Sequence, residues 1–338
     1  MSFCCKPFLL GAIGSLMLLN SANSMASDTE IKLIAGQPGF YDLIGQHPLV
    51  QKIADNAQWA EGPACIAPDT LIYSDVIRNE VLSWSEKHGL KTWLAPADHQ
   101  NGHAVDAEGR VIAASHEQRA VLRREHDGRW VTLIGEWQGK RFHSPNDVVV
   151  ARDGAVWFID PKFGLLSKKE GGGKGKPELE GEFVYRYDPA AKKLTKMNTP
   201  ELYTPNGLAF SPDGKLLYVS DTQRAHDVNN TSLKHRIMVY PVSAQQTGEG
   251  RVFAEISPGV PDGIKVDANG NVWTSSGDGV QVFSPAGKRL GKILIPAKAT
   301  ANLALCTDAQ NRNWMYVTAT NQVLRIPVRV KGADTAAK

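Results

Sequence analysis

Cysteine is scarce in this chain: four in 338 residues, with Cys4 and Cys5 near the very start. That excludes a disulfide-built scaffold, and no His/Cys spacing suits a zinc site. A run of about 20 apolar residues, which a membrane helix needs, is missing; the apolar stretch at 8–19 is too short. Basic clusters are absent as well. The net charge is +3, or +2 without Lys6, which argues against a nucleic-acid or anionic-membrane surface. No G-x-S-x-G elbow marks a serine nucleophile. Amphipathic helical periodicity appears nowhere in the body of the chain, which excludes helical bundles and alternating α/β architectures.

What the chain does contain is a repeat. FHSPNDVVVARDGAVWFIDP, residues 142–161, reads as a turn, a strand, an Asp-Gly turn and a second strand. Asn146 and Asp147 are poor strand formers at a strand entrance. The same pattern recurs as EGPACIAPDTLIYSD from Glu61, NGHAVDAEGRVIAAS from Asn101, PNGLAFSPDGKLLYVSD from Pro205, PDGIKVDANGNVWTSS from Pro261 and NLALCTDAQNRNWMYVTA from Asn302. Four consecutive units carry a glycine eight positions after the polar anchor: Gly109, Gly154, Gly214 and Gly270. At a glycine background of about 7%, chance gives this with a probability on the order of 10⁻⁵.

Each unit continues with β-branched and aromatic runs, such as EVLSW, FVYRY or GVQVF, and a weaker fourth run. Four short strands every 40–60 residues or so are the mark of propeller blades. The expected fold is all-β, a six-bladed propeller of four antiparallel strands per blade. The sixth unit lacks a fourth strand, and the run LVQKIA at 49–54 is placed to supply it by pairing near 322–326. Such pairing closes the ring and removes open edges.

Residues 1–26 read as a secretory signal peptide: Lys6, the apolar run, then the small-residue exit Ser24-Met25-Ala26. The mature protein is therefore expected outside the cytoplasm, periplasmic or secreted, with no membrane segment. Residues 27–47 read as a leader that packs along the outside or stays loose, 48–329 as the propeller and 330–338 as a polar tail. Cys65 and Cys306 fall in the first and last units, neighbours in a closed ring. Export makes a disulfide chemically allowed, but two buried free thiols are the expectation. The segments at 168–182, Gly-rich and charged, and 223–234 insert between the second and third strands of the third and fourth units as surface loops.

The first strand of each blade lines the central channel, so its anchors form a ring: Glu61, Asn101, Asn146, Asn206, Asp262 and Asn302. All six are oxygen donors and two are carboxylates, a donor set for a hard divalent cation, with Ca²⁺ the natural choice. Read singly, the Asn-Gly and Asp-Gly pairs are ordinary turn pairs; Glu61, ahead of Gly-Pro, is not. His116, with Asp75, Asp160 and Asp221, ends a second strand at the same level.

At these residues the sequence resembles the SMP-30/gluconolactonase family of six-bladed, calcium-dependent propellers. The matching pieces are EGP at 61–63, SPNDVV at 144–149, WFIDPKFGL at 157–165, PNGLAFSPDG at 205–214 and PDGIKVD at 261–267. The resemblance implies one divalent ion held by Glu61, Asn146, Asn206 and Asp262, with Asp262 also the base or nucleophile. Zn²⁺, Mn²⁺ or Mg²⁺ are alternatives to Ca²⁺. Asn101, His116 and Asp160 are expected to face the substrate, a small lactone. One position departs: regucalcin-type sugar lactonases carry Arg two residues before the Asn that Asn146 matches, and here it is Ser144. Phosphotriester or aryl-ester hydrolysis at the same ion, and a non-catalytic binding propeller, are the competing readings.

Overall fold

The computed structural model describes Met1, 30–173 and 175–333. Positions 2–26 of the expected signal peptide, 27–29 of the leader and 334–338 of the tail lie outside the described residues. Six antiparallel sheets succeed one another along the chain, and their innermost strands are Ala60–Ala67, Gln100–Val105, Val148–Val150, Pro205–Phe210, Ile264–Val266 and Asn302–Thr307. We number the blades 1 to 6 in that order. The first three strands of each blade pair with their chain neighbours, outward from the channel.

The second strands are buried from end to end, as in Val111–Ser115, Val156–Ile159 and Val272–Ser276. Both of their faces pack on adjacent blades, so they read as continuous apolar runs rather than alternating ones. The fourth strands, such as Gly89–Leu94 and Lys193–Lys196, are largely solvent-facing. That is why their sequence signal is weak. The repeated glycine has a conformational cause: Gly109, Gly154, Gly214 and Gly270 adopt φ of 80°, 80°, 72° and 83° in the turns between first and second strands. Asn311, at φ 59°, does the same work in blade 6.

The ring closes as the sequence indicates. Gln51–Ala54 pairs antiparallel with Gln322–Val328, register Gln51↔Arg325, and becomes the fourth strand of blade 6. The residues before it are built into the fold too. Lys32–Ala35 adds a fifth strand to blade 5 against Arg289–Leu294. The one-turn helix Phe40–Ile44 sends Phe40, Leu43 and Ile44 into a core shared with Trp273, Val280 and Leu324. Of the two alternatives for this segment, the described part shows outside packing.

Cys65 and Cys306, 241 positions apart in sequence, are joined in a disulfide with Cα atoms 6.2 Å apart. This corrects the expectation of two free thiols. The two innermost strands of blades 6 and 1 run side by side at the ring closure, which brings the thiols within bonding range; sequence adjacency of the units does not reveal that separation.

Neighbouring innermost strands approach so closely that the glycine after the anchor is sterically required. A Cβ on Gly62 would lie 1.8 Å from the Asn101 carbonyl oxygen, and one on Gly207 2.4 Å from that of Asp262. Gly207→Ala is accordingly expected to lower stability by about 1–3 kcal/mol or more through overpacking. Thermal unfolding followed by circular dichroism checks it; a melting temperature equal to wild type refutes the close-approach role.

Candidate metal and substrate site

The anchors stand at one end of the channel, each at or just before the start of its innermost strand. Hydroxyls at the ends of the second strands clasp the next blade's anchor: Ser74 Oγ donates to the Asn101 carbonyl (3.0 Å) and Ser220 Oγ to the Asp262 carbonyl (2.7 Å). The Asp262 amide donates to Ser275 Oγ at 3.1 Å. These hydroxyls, in the strand endings YSD, VSD and TSS, hold the ring together, and the sequence reading overlooked them. The signal was visible as the same polar ending in successive units.

Glu61 is buried at 3% exposure, and its Oε2 accepts from the Gly62 amide at 3.0 Å and the Asn302 Nδ2 at 3.3 Å. Burial pushes its carboxyl up to about 8, with Asp147 and Glu170 adding to the rise. Asp262 is raised well above the ordinary carboxylate range, first by burial and then by the charges of Glu61, Asp147 and Glu170. Two acids here thus oppose each other's ionisation. Asn146, Asn206 and Asn101 are buried, and the Oδ1 atoms of Asn101 and Asn206 have no hydrogen-bond donor among the described residues. Buried acceptors in that condition, beside two mutually repelling carboxylates, are what a hard cation satisfies. The donor set fits a divalent ion such as Ca²⁺. Among the described residues, no three His, Cys, Asp or Glu side chains gather into a metal-binding group; the ring depends on amide oxygens.

Asn302 takes another part. Its Nδ2 donates to Glu61 and its Oδ1 accepts from the Leu303 amide at 2.8 Å, so it braces Glu61. His116 is within the ring's reach: its Nε2 lies 3.4 Å from Asn101 Nδ2, and its buried Nδ1 is 3.8 Å from a Glu170 carboxylate oxygen. Burial drives its imidazole down to about 4, so it is neutral at pH 7. Asp160 lies below the surface. Both oxygens accept backbone amides, from His143 and Ser144, each at 2.8 Å. Asp75 does likewise for Gln58 and Trp59, and Asp221 for Thr204. Asp160 therefore shapes the loop that delivers Asn146. Ser144 is fully buried and its Oγ donates to the Pro161 carbonyl at 2.7 Å, so this position turns inward.

Two acids escaped the sequence reading. Asp147 follows an anchor directly, and its adjacency was the available clue. Glu170 comes from the insertion at 168–182, whose path over blade 2 is set by Gly164 lying flat on the His116 ring: a Cβ there would sit 2.3 Å from its Cγ. No local pattern announces that. A cavity of about 430 Å³ occupies the other half of the channel, lined by Ala64, Cys65, Val149, Trp157, Phe210 and Cys306 among others, and contains none of the anchors.

The family model described as SMP-30/Gluconolactonase/LRE-like region matches residues 59–321. A gluconolactonase of Zymomonas mobilis is 28% identical over 334 residues, covering 92% of this chain and 90% of that protein. The solved structure of a gluconolactonase from Xanthomonas campestris superposes with a TM-score of 0.80 at 35% identity, covering 89% of this chain and 96% of that one. A regucalcin structure from Agrobacterium tumefaciens, at 20% identity and a TM-score of 0.64 over 83% of this chain and 94% of that one, shares the fold. With a matched region that spans all six innermost strands, the chain belongs to the SMP-30/gluconolactonase family.

Proposed function

We propose that this protein is a metal-dependent lactonase that opens a sugar lactone of the gluconolactone type, with Ca²⁺ held by Glu61, Asn146, Asn206 and Asp262. The observation that carries it is the mouth of the ring, where buried Glu61 and half-buried Asp262, two mutually repelling carboxylates, adjoin buried amide oxygens, one of them Asn206 Oδ1, with no donor among the described residues. The similarity to gluconolactonases over some nine-tenths of the chain supports the substrate class.

A bound divalent ion supplies Lewis-acid polarisation of the lactone carbonyl and offsets the negative charge that develops there. The chain's own residues do the rest. Asp262 accepts a proton from the attacking water while the new C–O bond forms. The ring C–O bond then breaks, and the departing alkoxide takes up that proton, leaving a hydroxy acid. Asn101, backed by neutral His116, offers an amide to the substrate. Asp160 and Ser144 fix the backbone that carries Asn146. The expected signal peptide and the Cys65–Cys306 disulfide both support an oxidising, extracytoplasmic location.

The test is acid release from glucono-δ-lactone with and without EDTA, followed by restoration with Ca²⁺, Zn²⁺, Mn²⁺ or Mg²⁺. Activity lost to EDTA and restored best by Ca²⁺ is the expected result. Turnover of phosphotriesters or aryl esters but not lactones, or ion binding with no turnover of any of them, overturns it. Asn146→Ala and Asn206→Ala are each expected to weaken Ca²⁺ binding in calorimetry while the β-sheet signal stays intact. Wild-type affinity in both reduces the ring to a row of strand caps.

A further inference from the structure

Five of the six junctions between innermost strands are made between chain neighbours. The sixth, between blades 6 and 1, is the seam where the chain's two ends meet. At four junctions a glycine after the anchor lets the next strand's backbone come in tight: Gly62 on Asn101, Gly102 on Asn146 and Asp147, Gly207 on Asp262, and Gly263 on Asn302. Two junctions have no such glycine: that of blades 3 and 4, where Asp147 follows the anchor, and the seam, where Leu303 stands with its side chain buried in the core of blades 5 and 6. Two other links cross the seam between the same two innermost strands. Toward the mouth, Asn302 Nδ2 donates to Glu61 Oε2 at 3.3 Å. Four residues further along each strand, Cys65 and Cys306 are covalently joined.

Glu61 is the anchor that this seam carries. It comes from the strand on one side, its brace Asn302 from the strand on the other, and the disulfide fixes the spacing of those strands. We propose that the Cys65–Cys306 bond sets the affinity of the ring for its ion, so that reduction of the bond weakens ion binding through Glu61. The inference rests on the reading of the ring as an ion site. Other contacts across the seam keep the ring closed when the bond is open: Ala60 N–H to the Thr320 carbonyl at 2.8 Å, Ala57 N–H to the Asn321 carbonyl at 3.1 Å, and Arg312 to Glu86 at 3.3 Å. Reduction therefore loosens the seam without unfolding the ring.

The reducing agent has a route. Both cysteines line the cavity of about 430 Å³ in the far half of the channel, away from the mouth. One dithiol, or two small thiols, delivers two electrons and two protons; the S–S bond becomes two thiols and the reductant leaves as its own disulfide. A change at one end of the channel is thus felt at the other. Thermodynamic reciprocity requires the converse: bound ion must oppose reduction by the same factor.

The experiment measures Ca²⁺ binding by calorimetry on the oxidised protein and on protein reduced with dithiothreitol, the two thiols being confirmed by titration. Reduction is expected to raise the Kd about tenfold, within the usual range of coupling between sites. The dithiothreitol ratio at half reduction should rise by the same factor at saturating Ca²⁺. Cys65→Ser/Cys306→Ser should bind as the reduced protein does. If that variant does not fold, the reduced wild type decides; if the wild type resists reduction, the variant decides. Equal affinity in both states overturns the coupling and leaves the ion site standing. No Ca²⁺ binding in the oxidised protein removes the ion site itself, and the coupling with it.

Discussion

Asp262→Asn is expected to retain metal at reduced affinity and to lose turnover by a factor of about 10² or more, the usual scale for a positioned general base. The substitution keeps the size of the side chain and one ligating oxygen. It removes the basicity and, with it, the proton acceptor for water. Glu61→Gln is the control. It removes the same charge from the ring, but Glu61 is held by the Gly62 amide and the Asn302 side chain, both on Oε2, and is given no part in proton transfer. Its loss should lie in metal affinity and recover when metal is raised to saturation. The measurement is kcat at saturating metal for both variants. Equal recovery of the two would make Asp262 a ligand only, and neutral His116, 3.4 Å from Asn101, would be the next base to examine.

Removal of residues 27–55 from a chain that begins at residue 27 is expected to abolish stable folding. Three separate contributions go at once. Gln51–Ala54 leaves the edge of blade 6 bare, and Lys32–Ala35 does the same for blade 5. Phe40, fully buried against Gly291, leaves a void between the outer strands of blades 5 and 6, with Leu43 and Ile44 going too. Burial of a large apolar side chain stabilises by about 1.5–3 kcal/mol, so those three alone approach the whole stability of a typical domain, about 5–15 kcal/mol. The comparison is thermal unfolding of chains beginning at residue 27 and at residue 56. A shorter chain that melts where the longer one does would show these elements to be ornamental.

The repeat made the fold legible because one physical requirement recurs in five of the six blades. A left-handed turn position after the innermost strand favours glycine, and Gly109, Gly154, Gly214 and Gly270 reported it, with Asn311 in the same role in blade 6. The ring of oxygen donors was legible for the same reason. The roles within the ring were less so. Asn302 shares its repeat position with Asn206, but it faces the seam and is drawn onto Glu61. Asp160 reads as a pocket acid because it ends a strand beside the mouth; its two oxygens are in fact taken by the His143 and Ser144 amides. Glu170 and the Cys65–Cys306 bond depend on how an insertion and a seam come together in space, distances that no periodicity encodes. The helix at Phe40–Ile44 is a single turn, too short to register as amphipathic.

The closure of blade 6 also bears on how the molecule is made. Gln51, on the strand that completes the blade, contacts Arg325 across 274 residues of chain. No ribosome can release a closed ring before the last strand has emerged, and each blade formed earlier waits with its neighbour's face uncovered. Pairing over such a span is slow, because the entropy of closing the loop must be met before the contact rewards it. Until both ends of the chain are present the ring stays open, and strand pairing followed by joining of Cys65 to Cys306 is the step that locks it.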